Sequence, residues 1–250
     1  MKSKSLLPLV ICGKGRIGGP LIRRLADIGL NPVTARLDLE AGLVLNTSTA
    51  SANECLVNDF DNNKVEVHLL VICISAYGKP WNWGDIFNGL KKQVDAGSLV
   101  VENLILVSST RVFDGIECGM ITASTRAKGC SQKAKELLKG ELDAFEVACR
   151  CYIVRASGLY GQDYKAYWPV LNQAFDRPRF GTSQELLIER LESLCTQYND
   201  TDLASTIELL TDGAVYFRGS KLLFSVSSGE IGKLAENYKI LQSSISVIND

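Results

Sequence analysis

A glycine-rich turn near the N-terminus constrains this chain more than any other feature. An apolar run over residues 6–12 leads into the segment GKGRIG at residues 13–18. The apolar residues Leu21, Ile22 and Leu25 follow at the spacing of one helical face. This order predicts a buried strand, a tight turn and a helix, which is how a doubly wound α/β sheet begins.

The three glycines of the turn are spaced as G-x-G-x-x-G, and each has its own expected task. Gly13 permits the sharp exit from the strand, Gly15 lets the backbone approach a pyrophosphate, and Gly18 lets the helix pack closely. The helix start offers N–H groups and a positive dipole end to phosphates. The turn, including Arg16 and Ile17, therefore predicts a dinucleotide site, although a purely structural glycine turn has the same letters.

The second predicted strand, residues 31–37, ends where such a site selects its cofactor. An acidic residue there accepts the ribose hydroxyls of NAD, whereas a basic one accommodates the 2′-phosphate of NADP. Arg36 occupies the predicted tip, so NADP or NAD is the expected cofactor and NADP is preferred. A register shift of two residues would place Asp38 there and favour NAD. Asp59 follows a short predicted strand, where its carboxylate caps a helix, faces solvent or contacts the adenine.

Two apolar segments, residues 65–75 and 100–107, predict central strands that are covered on both faces. Ligands of open α/β sheets bind at the carboxyl ends of such strands. Ser75, Ala76, Tyr77, Ser109 and Thr110 lie at or just beyond the ends of these two strands. We expect Ser75 and Ala76 to contact the cofactor, and Tyr77 and Thr110 to contact the substrate.

Composition excludes several classes of partner. The chain is 46% hydrophobic and 22% charged, with a net charge of −1 and no long basic block, so no nucleic-acid partner is expected. No run approaches the roughly 20 apolar residues of a membrane span. The N-terminal stretch is short, contains Pro8 and lacks the cleavage site of a signal peptide. The eight cysteines contain no CxxC pair, so we expect reduced thiols, no metal site and a cytoplasmic protein.

Several segments resemble one superfamily. The segments VICGKGRIGGPLIRRL, DFD, VICISA, VSSTRVF and VRASGLYG occur in the order and spacing of the extended and atypical short-chain dehydrogenases/reductases. The chain most resembles members called NAD-dependent epimerase/dehydratase. The resemblance implies that Ser109 is the catalytic Ser/Thr and that residues 154–161, which include Tyr160, line the cofactor and substrate cleft. It also implies that Asp202 precedes a later helix.

One motif of that superfamily is missing. Its enzymes carry Tyr-x-x-x-Lys on the helix after the serine segment, where the lysine and the nicotinamide charge lower the tyrosine pKa for acid–base catalysis. This chain has SQKAKELL at residues 131–138 and no Tyr-x-x-x-Lys anywhere. Three alternatives follow: another proton donor among Tyr77, Tyr160, Asp114 and Lys133, unconventional chemistry, or a non-catalytic NAD(P)-binding sensor or scaffold.

The predicted architecture is a doubly wound parallel-sheet Rossmann domain over residues 1–157 and a small C-terminal α+β substrate lobe over residues 158–250. Some segments of the lobe return to the Rossmann core. Helices are predicted over residues 83–94, 131–147, 184–194 and 200–210, and the segment 184–194 also fits a strand in part. A last helix is capped by Ser228 and Glu230, and strands are predicted over residues 150–155 and 221–226. The resemblance implies a homodimer through the helix at residues 131–147, whose apolar stripe fits a sheet-facing core equally well. The predicted function is an NAD(P)-binding oxidoreductase or epimerase-like protein that acts on a small carbonyl, hydroxyl or nucleotide-sugar-like substrate.

Overall fold

The predicted sheet forms the centre of the fold. The structure is a computed structural model, which describes residues 5–38, 42–45, 64–74, 83–116, 119–161, 179–198, 205–210, 215–216, 224–226 and 229–231. The strands are β1 (Ser5–Cys12), β2 (Val33–Asp38), β3 (Gly42–Leu45), β4 (Val65–Ile72), β5 (Leu99–Ser109), β6 (Gly119–Ile121), β7 (Ala148–Ala156), β8 (Gly158–Tyr160), β9 (Arg179–Ser183), β10 (Thr206–Leu210), β11 (Val215–Tyr216), β12 (Phe224–Val226) and β13 (Gly229–Ile231). The helices are α1 (Gly18–Asp27), α2 (Trp83–Asp95), α3 (Gln132–Val147) and α4 (Gln184–Gln197), with a 3₁₀ turn over Thr110–Phe113.

Eight strands form one sheet in the order β13-β10-β7-β5-β4-β1-β2-β3. The six inner strands pair in parallel, whereas β3 and β13 pair antiparallel at the two edges. The chain winds in both directions from β1, because β2 lies on one side of it and β4 on the other. This confirms the doubly wound Rossmann fold, and it places the switch point that binds ligands in such sheets between the carboxyl ends of β1 and β4.

Side-chain alternation divides the hydrophobic core between the two faces of the sheet. In β1, Val10 and Cys12 belong to the cluster that contains residues of α2 and α3. Leu9 and Ile11 belong to the cluster that contains residues of α1 and α4. Because helices cover both faces, the inner strands have near-continuous apolar sequences, as the sequence predicts. Within the described residues, no helix is long and apolar enough to cross a membrane.

The helix α3 matches its prediction and begins with a defined cap. Ser131 is the N-cap residue, and its hydroxyl accepts a hydrogen bond from the Ala134 N–H at 3.2 Å. The helix packs closely on α2, since a Cβ atom at Gly140 would lie 2.5 Å from the Trp83 ring. The buried face of α3 consists of Ala134, Leu137, Leu138, Gly140, Glu141, Ala144 and Val147.

Two predictions for the C-terminal part are wrong. Residues 206–210 lie in β10, which pairs in parallel with β7, and they are not part of a helix over residues 200–210. All five residues of β10 are buried, and a short buried apolar run has no period that separates strand from helix. Residues 229–231 lie in β13, with Glu230 opposite Glu208, and are not the first turn of the helix predicted to start at Ser228 and Glu230. Asp202 and residues 232–250 lie outside the described residues.

The edge beyond β2 also differs from the sequence prediction. The strand β2 runs to Asp38 and pairs antiparallel with β3, a segment that the sequence does not assign to any element. In α4, the region predicted as a helix over residues 184–194 is helical throughout and extends to Gln197. The boundary between domains at residue 157 stays a prediction, and β10 and β13 from beyond it join the large sheet.

Candidate functional site

The glycine turn between β1 and α1 depends on two positions that exclude a side chain. Gly13 has φ +104°, a value that favours glycine, and a Cβ atom there would lie 2.9 Å from the Cys73 carbonyl oxygen. A Cβ atom at Gly18 would lie 1.7 Å from the Gly13 carbonyl oxygen. The close approach at Gly18 is therefore to the turn itself, and both glycines make this compact turn sterically possible.

The middle glycine of the turn, Gly15, faces open space. A Cβ atom built at Gly15 would meet no heavy atom within 4 Å. The helix α1 starts immediately afterwards with Ile17 as its N-cap residue, and Ile17 makes no side-chain cap hydrogen bond. The first turn of α1 contains no acidic residue. An anionic group can therefore approach the positive end of this helix without meeting a protein carboxylate of that turn.

The register between β1 and β2 places Arg36 beside the glycine turn. Cys12, the last residue of β1, pairs with Ala35, so Arg36 lies level with Gly13. Ala35 belongs to the core on the α2 side of the sheet, and Arg36 faces the opposite side, where α1 packs, because side chains alternate along a strand. Arg36 is exposed, and Asp38 lies two residues farther along, opposite Gly42.

The carboxyl end of β5 carries the predicted catalytic serine. Ser109 is the last residue of β5 and is half-buried. Its hydroxyl oxygen accepts a hydrogen bond from the Arg111 N–H at 3.2 Å and so caps the 3₁₀ turn that starts at Thr110. A serine hydroxyl that accepts one hydrogen bond keeps its own proton for donation. Ser109 can therefore donate to an oxygen atom placed above this edge of the sheet.

A buried ion pair lies against Ser108, the residue before this serine. The Arg155 guanidinium donates to the Glu141 carboxylate through Nη2 at 2.7 Å and Nε at 3.1 Å, and both side chains are 0% exposed. Ser108 donates its hydroxyl to the same carboxylate at 2.6 Å. Arg155 also lies over the Phe113 ring, 5.2 Å from its centroid. The Glu141–Arg155 pair therefore joins β5, β7, α3 and the 3₁₀ turn around Ser109.

Two of the alternative proton donors have described positions. Asp114 accepts hydrogen bonds from the Ser131 N–H through both carboxylate oxygens, at 3.2 Å and 3.1 Å, and so joins the 3₁₀ turn to the start of α3. Lys133 is exposed in the first turn of α3. Asp59, Ser75, Ala76 and Tyr77 lie outside the described residues, as does the side chain of Tyr160.

Two thiols lie next to the glycine turn, at the ends of β1 and β4. The Cys73 N–H donates to the Cys12 carbonyl oxygen at 2.9 Å. Burial raises the pKa of the Cys12 thiol far above its usual value and raises the pKa of Cys73 to about 12. Both side chains are therefore protonated thiols at neutral pH and act as small apolar groups rather than as nucleophiles.

The sole histidine, His68, lies in the first half of β4, away from the carboxyl edge. Its Nδ1 atom is 2.6 Å from a Glu102 carboxylate oxygen, and its Nε2 atom is 3.3 Å from the Tyr198 carbonyl oxygen. These contacts join β4, β5 and the end of α4. They agree with the structural role that its place in the strand predicts.

Comparison with solved structures identifies proteins that share this fold. No family model and no curated protein sequence match the chain. A structure from Methylobacillus flagellatus described as an NAD-dependent epimerase/dehydratase has a TM-score of 0.61 and 16% identity, covering 96% of this chain and 92% of that one. A dTDP-4-dehydrorhamnose reductase from Clostridium acetobutylicum has a TM-score of 0.60 and 16% identity, covering 99% of this chain and 100% of that one. Gre2 from Candida albicans, solved with NADPH, has a TM-score of 0.57 and 9% identity, covering 97% and 99%.

The chain shares the fold of these three solved structures. In this fold, Gly15, Arg36 and Ser109 lie at or just beyond the carboxyl ends of inner parallel strands. Since β2 and β5 are three strand spacings apart, Arg36 and Ser109 are separated by roughly 14 Å across the sheet. An extended ligand, rather than a small ion, spans this distance.

Proposed function

We propose that this chain binds NADP(H) or NAD(H) at the glycine turn. In this proposal it uses the cofactor in oxidoreductase or epimerase-like chemistry on a small carbonyl, hydroxyl or nucleotide-sugar-like substrate. The observation that carries the proposal is the open space over Gly15 at the uncapped start of α1. A neighbour of the same fold was solved with NADPH, and another is described as NAD-dependent, which supports this class of cofactor.

The residues present fit a dinucleotide in three ways. Gly15 leaves the room that a side chain would fill, the start of α1 offers backbone N–H donors for the pyrophosphate, and Arg36 offers a guanidinium for the 2′-phosphate. When bound, the nicotinamide supplies or accepts a hydride. The Ser109 hydroxyl donates a hydrogen bond to the substrate oxygen. Contacts to the cofactor by Asp59, Ser75 and Ala76 stay predictions, as do contacts to the substrate by Tyr77, Thr110 and Tyr160.

We expect Arg36→Ala to lower the affinity for NADPH by about 10-fold, because it removes a charge-assisted hydrogen bond to the 2′-phosphate. NADH lacks that phosphate, so its affinity should change much less. Isothermal titration calorimetry with both cofactors measures the difference. Lys92→Ala, which removes an exposed cation from α2, is the control and should leave both affinities unchanged. Equal losses for the two cofactors in Arg36→Ala would contradict this role.

We expect Ser109→Ala to leave the cofactor dissociation constant unchanged and to lower kcat by about 100-fold or more on any substrate found in a carbonyl screen. The reason is the loss of a hydrogen-bond donor to the oxygen on which charge develops. Ser109→Thr keeps the hydroxyl and should retain activity. Full activity in Ser109→Ala would exclude the hydroxyl as a catalytic group.

A second candidate function is a non-catalytic cofactor-binding module. It is favoured by the absence of Tyr-x-x-x-Lys and by the engagement of the Asp114 carboxylate with the Ser131 N–H. One experiment distinguishes the two candidate functions. NADPH fluorescence measures binding, and the loss of NADPH absorbance measures turnover over a panel of aldehydes and ketones. Binding with no turnover across the panel would support the non-catalytic module.

A further inference from the structure

The helix α4 reaches the glycine turn through its first side chain. Gln184 begins α4, is 8% exposed, and donates from Nε2 to the Arg16 carbonyl oxygen at 2.7 Å. It packs against Gly161, the residue that follows β8, since a Cβ atom at Gly161 would lie 3.1 Å from the Gln184 Cβ atom. This hydrogen bond joins the turn to an element far away in the sequence.

The hydrogen bond sets the direction of one peptide group. The Arg16 carbonyl and the Ile17 N–H belong to the same peptide, and no described peptide bond is cis. In a trans peptide these two groups point in opposite directions. Because the Gln184 amide holds the Arg16 carbonyl oxygen toward α4, the Ile17 N–H is turned away from α4. Ile17 is the N-cap residue of α1, where backbone N–H groups bind phosphates.

The position of Gln184 is fixed by the contacts of α4 on both sides. On the side of α1, Arg24 pairs with Glu192 at 3.0 Å and also with Glu185. On the side of the sheet, Arg190 pairs with Glu208 of β10 at 2.9 Å. The helix that carries the Gln184 amide therefore forms ion pairs with both α1 and the sheet.

We propose that Gln184 is a positioning residue for the pyrophosphate. Its amide fixes the Arg16–Ile17 peptide so that the Ile17 N–H faces the ligand. The inference rests on the proposed function, since it concerns the same cofactor site. A preorganised donor lowers the cost of ordering the turn when the ligand binds.

The test compares three probes on the intact protein by calorimetry: NADPH, ADP and 2′-AMP. ADP carries the diphosphate, whereas 2′-AMP carries the phosphate expected at Arg36 and no diphosphate. Gln184→Leu should lower the affinities for NADPH and ADP by about 10-fold, the effect of losing one hydrogen bond. It should leave the affinity for 2′-AMP unchanged. Gln197→Leu makes the same change at the exposed end of α4 and should leave the affinities for all three ligands unchanged.

A second variant and a second readout keep the test independent of folding defects. Gln184→Glu keeps an acceptor oxygen and removes the N–H donor, so it should also lower the affinities for NADPH and ADP. In wild type, NADPH should slow hydrogen exchange at the Ile17 amide, and this protection should be lost in Gln184→Leu.

The outcomes distinguish the two proposals. Absence of NADPH and NADH binding in wild type would overturn the proposed function. Wild-type binding together with unchanged NADPH and ADP affinities in both Gln184 variants would overturn only the role of Gln184. An equal loss of 2′-AMP affinity would also overturn it, because the effect would then be a general disturbance of the site.

Discussion

Replacing Gly15 by alanine should lower cofactor affinity by about 100-fold or more, which is about 2.7 kcal/mol, and leave stability unchanged. The added Cβ atom meets no protein atom within 4 Å, so the folded protein accommodates it. The same methyl group occupies the space that lets a pyrophosphate approach the backbone. Calorimetry with NADPH measures the affinity, and thermal unfolding measures the stability.

Gly18→Ala is the matched control because its Cβ atom would lie 1.7 Å from the Gly13 carbonyl oxygen. The turn cannot keep its shape with that contact, so this variant should lose cofactor binding and also about 3 kcal/mol of stability. Of these two glycine variants, only Gly15→Ala is therefore expected to lose binding without losing stability. Wild-type affinity in Gly15→Ala would show that no ligand uses the space over this glycine.

The largest expected effect on stability is at the Glu141–Arg155 pair. Glu141→Leu leaves the fully buried Arg155 guanidinium without its carboxylate, and breaking one partner of a buried pair costs about 3–5 kcal/mol. Arg155→Met should cost a similar amount. Urea unfolding followed by circular dichroism measures both, and the Lys139–Asp143 pair on the same helix, in which the lysine is exposed, provides the comparison.

The double variant Glu141→Leu/Arg155→Met should recover much of the loss, because it leaves no uncompensated charge. The Arg155 Nη1 atom has no hydrogen-bond partner among the described residues, so the wild-type pair already carries a desolvation cost. Lys139→Ala should lower the free energy of unfolding by less than about 1 kcal/mol. A Glu141→Leu variant as stable as Lys139→Ala would contradict a structural role for the buried pair.

The sequence predicts the inner sheet and the turn because these elements carry local signals. The strands β4 and β5 are long apolar runs with many β-branched residues. The glycine spacing after β1 is typical of a dinucleotide-binding turn. The strand β10 has no such signal. Its five buried residues follow Asp200-Thr201-Asp202, which looks like a helix cap, and only the pairing with β7 determines that it is a strand.

The candidate site could be predicted only where its parts are close in sequence. The place of Arg36 depends on the register of β2 against β1, which the sequence leaves open by two residues. Glu141 falls among other charged residues of a helix, so nothing local indicates that it is buried against Arg155. Gln184 and Arg16 are 168 residues apart, and their contact exists only after α4 packs beside α1.

Calorimetric titration of the purified protein with NADPH and with NADH tests the dinucleotide site most directly. We expect saturable binding of one cofactor per chain, with NADPH bound more tightly because of Arg36, and loss of this binding in Gly15→Ala. No heat with either cofactor, or heat that Gly15→Ala leaves unchanged, would contradict a dinucleotide site at the glycine turn.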